Sequence, residues 1–303
     1  MPSIRARIIT RVVRWVVKRW PRNDPAAMVL RARRVFGHPA FLRSVGLHGA
    51  AIECVSDGIR GEWIRPTKQQ SDGVILYLHG GGYVSCSPQT HRPITSCLAR
   101  LTGCSVFALD YRLAPEHPFP AAVDDAVTAF YWLVKNGTQP GRIAIAGDSA
   151  GGGLTITTLI SLRDTGSPMP ACGVCLSPWT DLSGACDFTN KTSCAMFTPE
   201  DGAAFAKIYL NGAKPDSPFA SPLYADLHGL PPLLIQVSGS ELLLDDSLRL
   251  NEKAASAGVS TSLRVYQGVP HVWQMFTRRL PEAQTALAEI AVFVKRNFAE
   301  RPL

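Results

Sequence analysis

Neither G-x-G-x-x-G nor G-x-x-x-x-G-K-[ST] occurs in the 303 residues, so the glycine-rich cradles that hold nucleotide phosphates are missing. Acidic residues are almost absent from the N-terminal segment. Residues 1–46 hold 11 Lys/Arg against the single acid Asp24, whereas the remainder holds 20 basic and 23 acidic residues. The body is therefore mildly acidic, and a nucleic-acid partner, which would call for basic groups over the body as well, is not expected. The first twenty residues lack an unbroken apolar run and a small-residue cleavage site, which argues against a membrane span and against a secretion signal. Cys172-Gly-Val-Cys175 has no second pair to complete a zinc site and lies in an apolar run rather than at a helix start, so no metal is expected. The eight cysteines read as free thiols in a reducing, cytoplasmic setting. No internal repeat and no low-complexity linker divides the chain.

What is present is a soluble, globular composition, 46% hydrophobic and 18% charged. Apolar runs that predict strands recur at 50–55, 61–64, 74–79, 105–110, 142–147, 171–177, 233–238 and 262–266. From Val74 onward most are followed by helix-like stretches, such as Ala121–Lys135 and Ser247–Ala257. Strands alternating with helices predict an α/β fold with a mostly parallel eight-stranded sheet, helices on both faces. Two segments break that rhythm, residues 1–46 and residues 182–215. Within the first, Arg7, Arg11, Arg14 and Lys18 share one helical face, and Ile9, Val12, Val13, Val16 and Trp20 share the opposite one. Such a helix suits packing on the protein's own surface, and it also suits contact with an anionic membrane surface without stable insertion.

Gly147-Asp148-Ser149-Ala150-Gly151 is the most informative stretch. It follows a strand-like run and opens a helix-like one, the arrangement of a nucleophile elbow. Its small residues suit the close passage of strand and helix. His79-Gly80-Gly81-Gly82 stands seventy residues upstream, and an H-G-G-G loop is the usual companion of such an elbow in lipases and esterases. Ser149 is the candidate nucleophile. The backbone N–H groups of Gly81, Gly82 and Ala150 are candidate oxyanion donors. In the chain order serine, acid, histidine, His271 follows the last predicted strand and is the candidate base. Glu241 follows strand 233–238 directly and is favoured as the acid over Asp245 and Asp246, which come one turn later.

These motifs, with Asp110-Tyr-Arg-Leu-Ala-Pro-Glu-His-Pro-Phe-Pro-Ala-Ala122 and Ser177-Pro-Trp-Thr-Asp181, resemble the hormone-sensitive-lipase-like (bacterial family IV) esterases of the α/β-hydrolase superfamily, in their GDSAG form. The resemblance covers roughly residues 46–300. It implies a serine carboxylesterase for short- to medium-chain acyl esters, a small-molecule ester as the partner and no cofactor. It gives Ser149 as nucleophile, His271 as base, Gly81, Gly82 and Ala150 as oxyanion donors and His79 as the residue that holds the glycine loop. Many relatives carry Asp where Glu241 stands, and Asp245 matches a second acid of the family's motif, so Glu241 as the acid rests on its place after the strand. It also implies a helical cap made of residues 1–46 and 182–215, over a catalytic domain of 47–181 and 216–303. Trp15, Trp20, Phe36, Phe41, Met196 and Phe197 of that cap are then candidates to shape the acyl pocket. Two other readings remain: a deacetylase or amidase acting on a specific natural product, and a non-catalytic small-molecule receptor, against which the intact His271 speaks. The oligomeric state is open, a homodimer included.

Overall fold

In the computed structural model, residues 2–17, 21, 23–37, 49–186, 188–190 and 193–299 are described. All eight predicted strands form one sheet: β1 (Ala51–Val55), β2 (Gly61–Arg65), β3 (Val74–Leu78), β4 (Ser105–Leu109), β5 (Ile143–Asp148), β6 (Cys172–Leu176), β7 (Leu233–Ser238) and β8 (Thr261–Tyr266). Their spatial order is β1-β2-β4-β3-β5-β6-β7-β8. β2 runs antiparallel to both β1 and β4, and every other pair is parallel. The central strands β3, β4, β5 and β6 are buried at every position, which is why they read as continuous apolar runs rather than alternating ones. Among the described residues, eight α-helices accompany the sheet: α1 (Ile4–Val17), α2 (Pro25–Phe36), α3 (Pro88–Thr102), α4 (Ala121–Lys135), α5 (Ala150–Asp164), α6 (Pro199–Leu210), α7 (Leu244–Ser256) and α8 (Pro281–Ala299). Two large apolar clusters hold the layers. One packs β3, β5 and β7 side chains such as Leu76, Ile145 and Ile235 with those of α4 and α5. The other packs Ile75, Ala144 and Val174 with those of α3 and α8. The fold is an α/β-hydrolase fold, covered on both faces as alternation predicts.

Helix limits follow local chemistry. α2 begins with Asp24 accepting from the N–H of Ala27 at 3.0 Å, and Pro25 sits at its first turn, where no N–H is needed. α6 begins with a capping box between Thr198 and Asp201. α1 docks on the far end of the chain. Ala6 is fully buried against Val269, Trp273, Leu280, Ala283 and Ala286. Ser3 donates from its N–H and its hydroxyl to Glu282, at 2.7 and 3.1 Å. Arg14 reaches the Ser193 carbonyl at 2.7 Å. The predicted apolar face of α1 is only partly the buried one. Ala6 and Val17 are buried, while Val12 and Val16 remain largely exposed. Lys18 and Trp20 lie outside the described residues.

None of the eight cysteines forms a disulfide, and Cys172 and Cys175 are buried in β6 as their apolar surroundings predict. No helix among the described residues is long and apolar enough to cross a membrane, and no group of residues there could hold a metal ion.

Candidate active site

Parallel strands deliver their following loops to one edge of a sheet, and a crevice forms there. The order β3-β5-β6-β7-β8 brings the glycine loop, Ser149, Ser177, Glu241 and His271 to that edge one after another. Residues that are 190 positions apart in the chain thus become neighbours across five strands.

Ser149 stands between β5 and α5 with φ 54° and ψ −120°, a conformation that L side chains seldom adopt. Its N–H donates to the Leu176 carbonyl at 2.8 Å, and its carbonyl accepts from Trp179 N–H at 2.9 Å, so β6 and its loop hold the strained turn. The glycine at 151 is dictated by contact: a Cβ there would meet the Leu78 carbonyl oxygen at 2.0 Å. The elbow therefore presses its helix directly onto the end of β3, where the glycine loop begins.

Asp148 joins elbow and loop. Its Oδ1 accepts from the Tyr77 hydroxyl at 2.7 Å and from Gly80 N–H at 3.1 Å, and its Oδ2 pairs with His91 Nε2 at 3.3 Å. Burial alone would raise its pKa, but His91 and the Tyr77 hydroxyl hold the carboxyl below the ordinary range. His79 braces the same loop. Its Nδ1 lies 2.7 Å from the Gly80 carbonyl, and its ring stacks on Tyr111 at 4.2 Å. Burial, with His91 nearby, lowers its pKa to about 3, so the ring is neutral and Nδ1 carries the donated proton. Tyr111, from the predicted signature stretch, donates to the His79 carbonyl at 2.7 Å. Gly81 takes φ 113°, and a Cβ there would strike the Ser85 carbonyl at 2.2 Å. Among the described residues, no acceptor is bonded to the N–H groups of Gly81, Gly82 or Ala150, the last being a first-turn donor of α5.

His271 Nδ1 lies 2.9 Å from Glu241 Oε1, and both side chains are buried. A carboxylate can only accept, so Nδ1 carries a proton, and in the neutral ring that tautomer leaves the lone pair on Nε2. Glu241 Oε2 accepts from the Ser177 hydroxyl at 2.7 Å and from Ser238 N–H at 3.2 Å. Ser238 donates its hydroxyl to the Val269 carbonyl at 2.6 Å, tying the acid loop to the histidine loop. Asn190 donates to the Gly239 and Glu241 carbonyls at 3.0 and 3.1 Å. The other two acids face elsewhere. Asp245 accepts from Thr189 N–H and hydroxyl, both at 2.8 Å. Asp246 is buried, and its Oδ2 accepts from the N–H groups of Thr180 and Asp181 at 2.7 and 2.9 Å. Ser177 and Asn190 were not singled out by the sequence. The signals for Ser177 are its place at the head of the Ser177–Asp181 stretch and just after β6, between the nucleophile and acid strands.

Ser149, His271, Gly81 and Gly82 line one cavity of about 430 Å³. The remainder of its wall is mainly apolar. Phe36, Met196 and Phe197 line it, as expected, and the Phe197 ring meets the His271 ring edge-on at 5.8 Å. Trp15 does not. It is 84% exposed, because α1 docks through the side carrying Ala6, Val13 and Val17, and residue 15 lies on the opposite side. Val12, Val13, Val16 and Val17 take the wall position that the aromatic residue was expected to fill. Trp20 and Phe41 lie outside the described residues. Phe205 of α6 and Met275 and Phe276 after His271 complete the wall without having been predicted.

A family model described as alpha/beta hydrolase fold matches residues 75–275. An acetyl-hydrolase of Streptomyces hygroscopicus is 46% identical over 242 residues, 79% of this chain and 80% of that protein. A crystal structure of an esterase from the bacterial hormone-sensitive lipase family superposes with a TM-score of 0.90 at 44% identity, covering 98% of this chain and 99% of that one. The crystal structure of EstE5 soaked with p-nitrophenyl butyrate gives 0.88 at 39% identity, with the same coverage of 98% and 99%. With the family model, these relatives and the strand order in agreement, the chain belongs to the hormone-sensitive-lipase-like esterases of the α/β-hydrolase superfamily.

Proposed function

We propose that this protein is a serine carboxylesterase that hydrolyses short- to medium-chain acyl esters through an acyl-enzyme. The observation that carries the reading is the buried His271–Glu241 hydrogen bond at 2.9 Å, set on the wall of the cavity that holds Ser149. Ser149 Oγ attacks the ester carbonyl carbon while His271 Nε2 takes its proton. Charge gathers on the carbonyl oxygen, where the unpartnered N–H groups of Gly81, Gly82 and Ala150 receive it. The tetrahedral intermediate collapses, the alkoxide leaves with the proton from His271, and the acyl group stays on Ser149. Water then gives a proton to His271 and attacks the acyl carbon. The carboxylic acid departs and Ser149 regains its hydrogen. Glu241 fixes the tautomer of His271 and stabilises its cation throughout.

The substrate range rests on the wall. Residues 1–46 and 182–215 act as a cap over a catalytic domain of 47–181 and 216–303, and α1, α2 and α6 close an apolar cavity over the triad. A cavity of about 430 Å³ accommodates an acyl chain of modest length and limits a long one. The acetyl-hydrolase relative and the butyrate-ester soak of a structural neighbour favour the short end of the range.

The test is a panel of nitrophenyl esters from acetate to palmitate, with wild type and Ser149→Ala. Wild type turns over the short and medium esters fastest. Ser149→Ala loses activity on the order of a millionfold while its melting temperature holds. Intact-mass measurement after rapid quench finds one acyl group, on Ser149. Sustained turnover by a well-folded Ser149→Ala protein would sink the mechanism, and a maximum at palmitate would sink the chain-length assignment alone.

A further inference from the structure

We propose that the outer face of α1 docks the protein on an anionic lipid surface. α1 carries two apolar stripes. The inner one, Ala6, Val13 and Val17, is spent on the protein's own core. The outer one has no cover: Ile4 is 74% exposed, Ile8 56% and Trp15 84%, with Val12 and Val16 also exposed. Single exposed apolar residues are ordinary, but five on one fourteen-residue helix form a continuous patch. Val12 and Val16 also line the cavity that holds Ser149, so this patch runs from the outside of α1 to the cavity wall.

Charge selects the occupant. Arg5, Arg7, Arg11 and Arg14 are all exposed along the same helix. Arg14 bonds to the Ser193 carbonyl, and among the described residues Arg5, Arg7 and Arg11 make no ion pair. No Asp or Glu occurs in α1 or α2. Apolar side chains with a tryptophan, flanked by unpaired arginines on a helix about 21 Å long, form a surface that lies in a bilayer interface rather than crossing it. A second copy of this chain meeting α1 through its own α1 would set arginine against arginine with no acid to offset them. Anionic headgroups supply the counter-charge, and the acyl boundary supplies the cover for Ile4, Ile8 and Trp15.

Vesicle binding is measured without turnover, so its outcome is independent of the ester reaction. The full chain is co-sedimented with vesicles of phosphatidylcholine alone and with vesicles containing about one-third phosphatidylglycerol. Binding is expected to the anionic vesicles, weakly or not at all to the neutral ones, and to fall steeply in high salt. The double variant Arg7→Gln/Arg11→Gln should bind roughly 30-fold more weakly, about fivefold per arginine. Ile8→Ser/Trp15→Ser should lose binding as well, while turnover of nitrophenyl acetate stays within about twofold, since none of these four side chains lines the cavity. Tryptophan emission should shift to the blue on binding in the wild type, and by less in Trp15→Phe. Absence of binding to anionic vesicles, equal binding to neutral ones, or unchanged binding by either double variant overturns the proposal. So does concentration-dependent self-association that Ile8→Ser/Trp15→Ser abolishes without any affinity for vesicles, since it assigns the patch to a second copy.

Discussion

Glu241 satisfies both of its carboxylate oxygens with different partners, and that division makes the residue testable against its neighbours. Oε1 faces His271, while Oε2 is held by the Ser177 hydroxyl and Ser238 N–H. Removing the whole carboxylate by Glu241→Ala leaves His271 without its tautomer anchor, and a fall in kcat of about 10⁴-fold is expected. Asp245→Ala removes only contacts to Thr189 in the insertion and should cost less than about tenfold. A larger loss from Asp245→Ala, at equal stability, would reassign the acid. Ser177→Ala removes one of the donors that fix Oε2 and should lower kcat by roughly tenfold with KM little changed, since it positions the acid and touches no substrate. An unaltered kcat would show that Ser238 N–H alone suffices. The sequence separates these three carboxylates by one fact, that Glu241 alone follows the strand directly, and Glu241 is also the one hydrogen-bonded to His271. Ser177 opens a stretch quoted for the resemblance, but its bond to Glu241 is not legible there, because it depends on β6 lying between β5 and β7, a property of sheet order.

At the scale of elements, α7 is tied to the loop after β6 by the Arg249–Asp181 ion pair at 2.8 Å and by the buried carboxylate of Asp246. Asp246 Oδ2 receives two backbone N–H groups, and among the described residues its Oδ1 has no hydrogen-bond partner. Burial pushes the Asp246 carboxyl up to about 7, with the charge of Asp181 adding to it, against the two N–H donors and Arg249, which pull it down. A carboxyl raised in the folded state binds its proton more tightly there than in the unfolded chain. Between about pH 4 and pH 7 the native state therefore holds more protons, and this contribution to stability is lost as pH rises through that window. Asp246→Asn keeps an acceptor for the N–H pair and cannot ionise. The difference in unfolding free energy between wild type and variant, from urea titrations at pH 5 and pH 8, should move in the variant's favour at the higher pH. An equal difference at both would contradict it. Asp246→Ala instead strands two buried N–H groups and should cost about 1–3 kcal/mol for each at any pH. Elements themselves were legible where local constraint is strongest. Continuous burial gives the central strands their unbroken apolar runs, and the close pass of α5 over β3 demands glycine at 151. The orientation of α1 was not legible. The expected apolar face, Ile9, Val12, Val13, Val16 and Trp20, is rotated from the side the core takes, Ala6, Val13 and Val17, because Ile4, Ile8 and Val12 are as apolar as these and periodicity does not say which side docks.

For the whole molecule, the N-terminal segment links the two ends of the chain across the site. Pro2 packs on Gly268, Thr10 donates to the Gly268 carbonyl at 3.4 Å, and Ser3 bonds Glu282 at the start of α8. Those contacts bracket His271, which stands three residues beyond Gly268. The same helix gives Val12, Val13, Val16 and Val17 to the cavity wall. Deleting residues 1–20 is thus expected to do three things at once. It uncovers Val269, Trp273 and the α8 residues that bury Ala6, which lowers the melting temperature by several degrees and promotes aggregation. It frees the loop that carries the base, which lowers kcat even for nitrophenyl acetate, a substrate too small to need the wall. It also opens the cavity on one side, so the ratio of octanoate to butyrate ester turnover rises relative to the full chain. The three effects separate in substitution. Ala6→Asp, in the inner stripe and away from the cavity, should reproduce the stability and kcat losses, and Val12→Ala, at the wall, should shift only the chain-length ratio. A truncated enzyme that keeps its melting temperature and its ester profile would mean that α1 neither braces the base loop nor closes the cavity, and the apolar wall would then have to be complete without it.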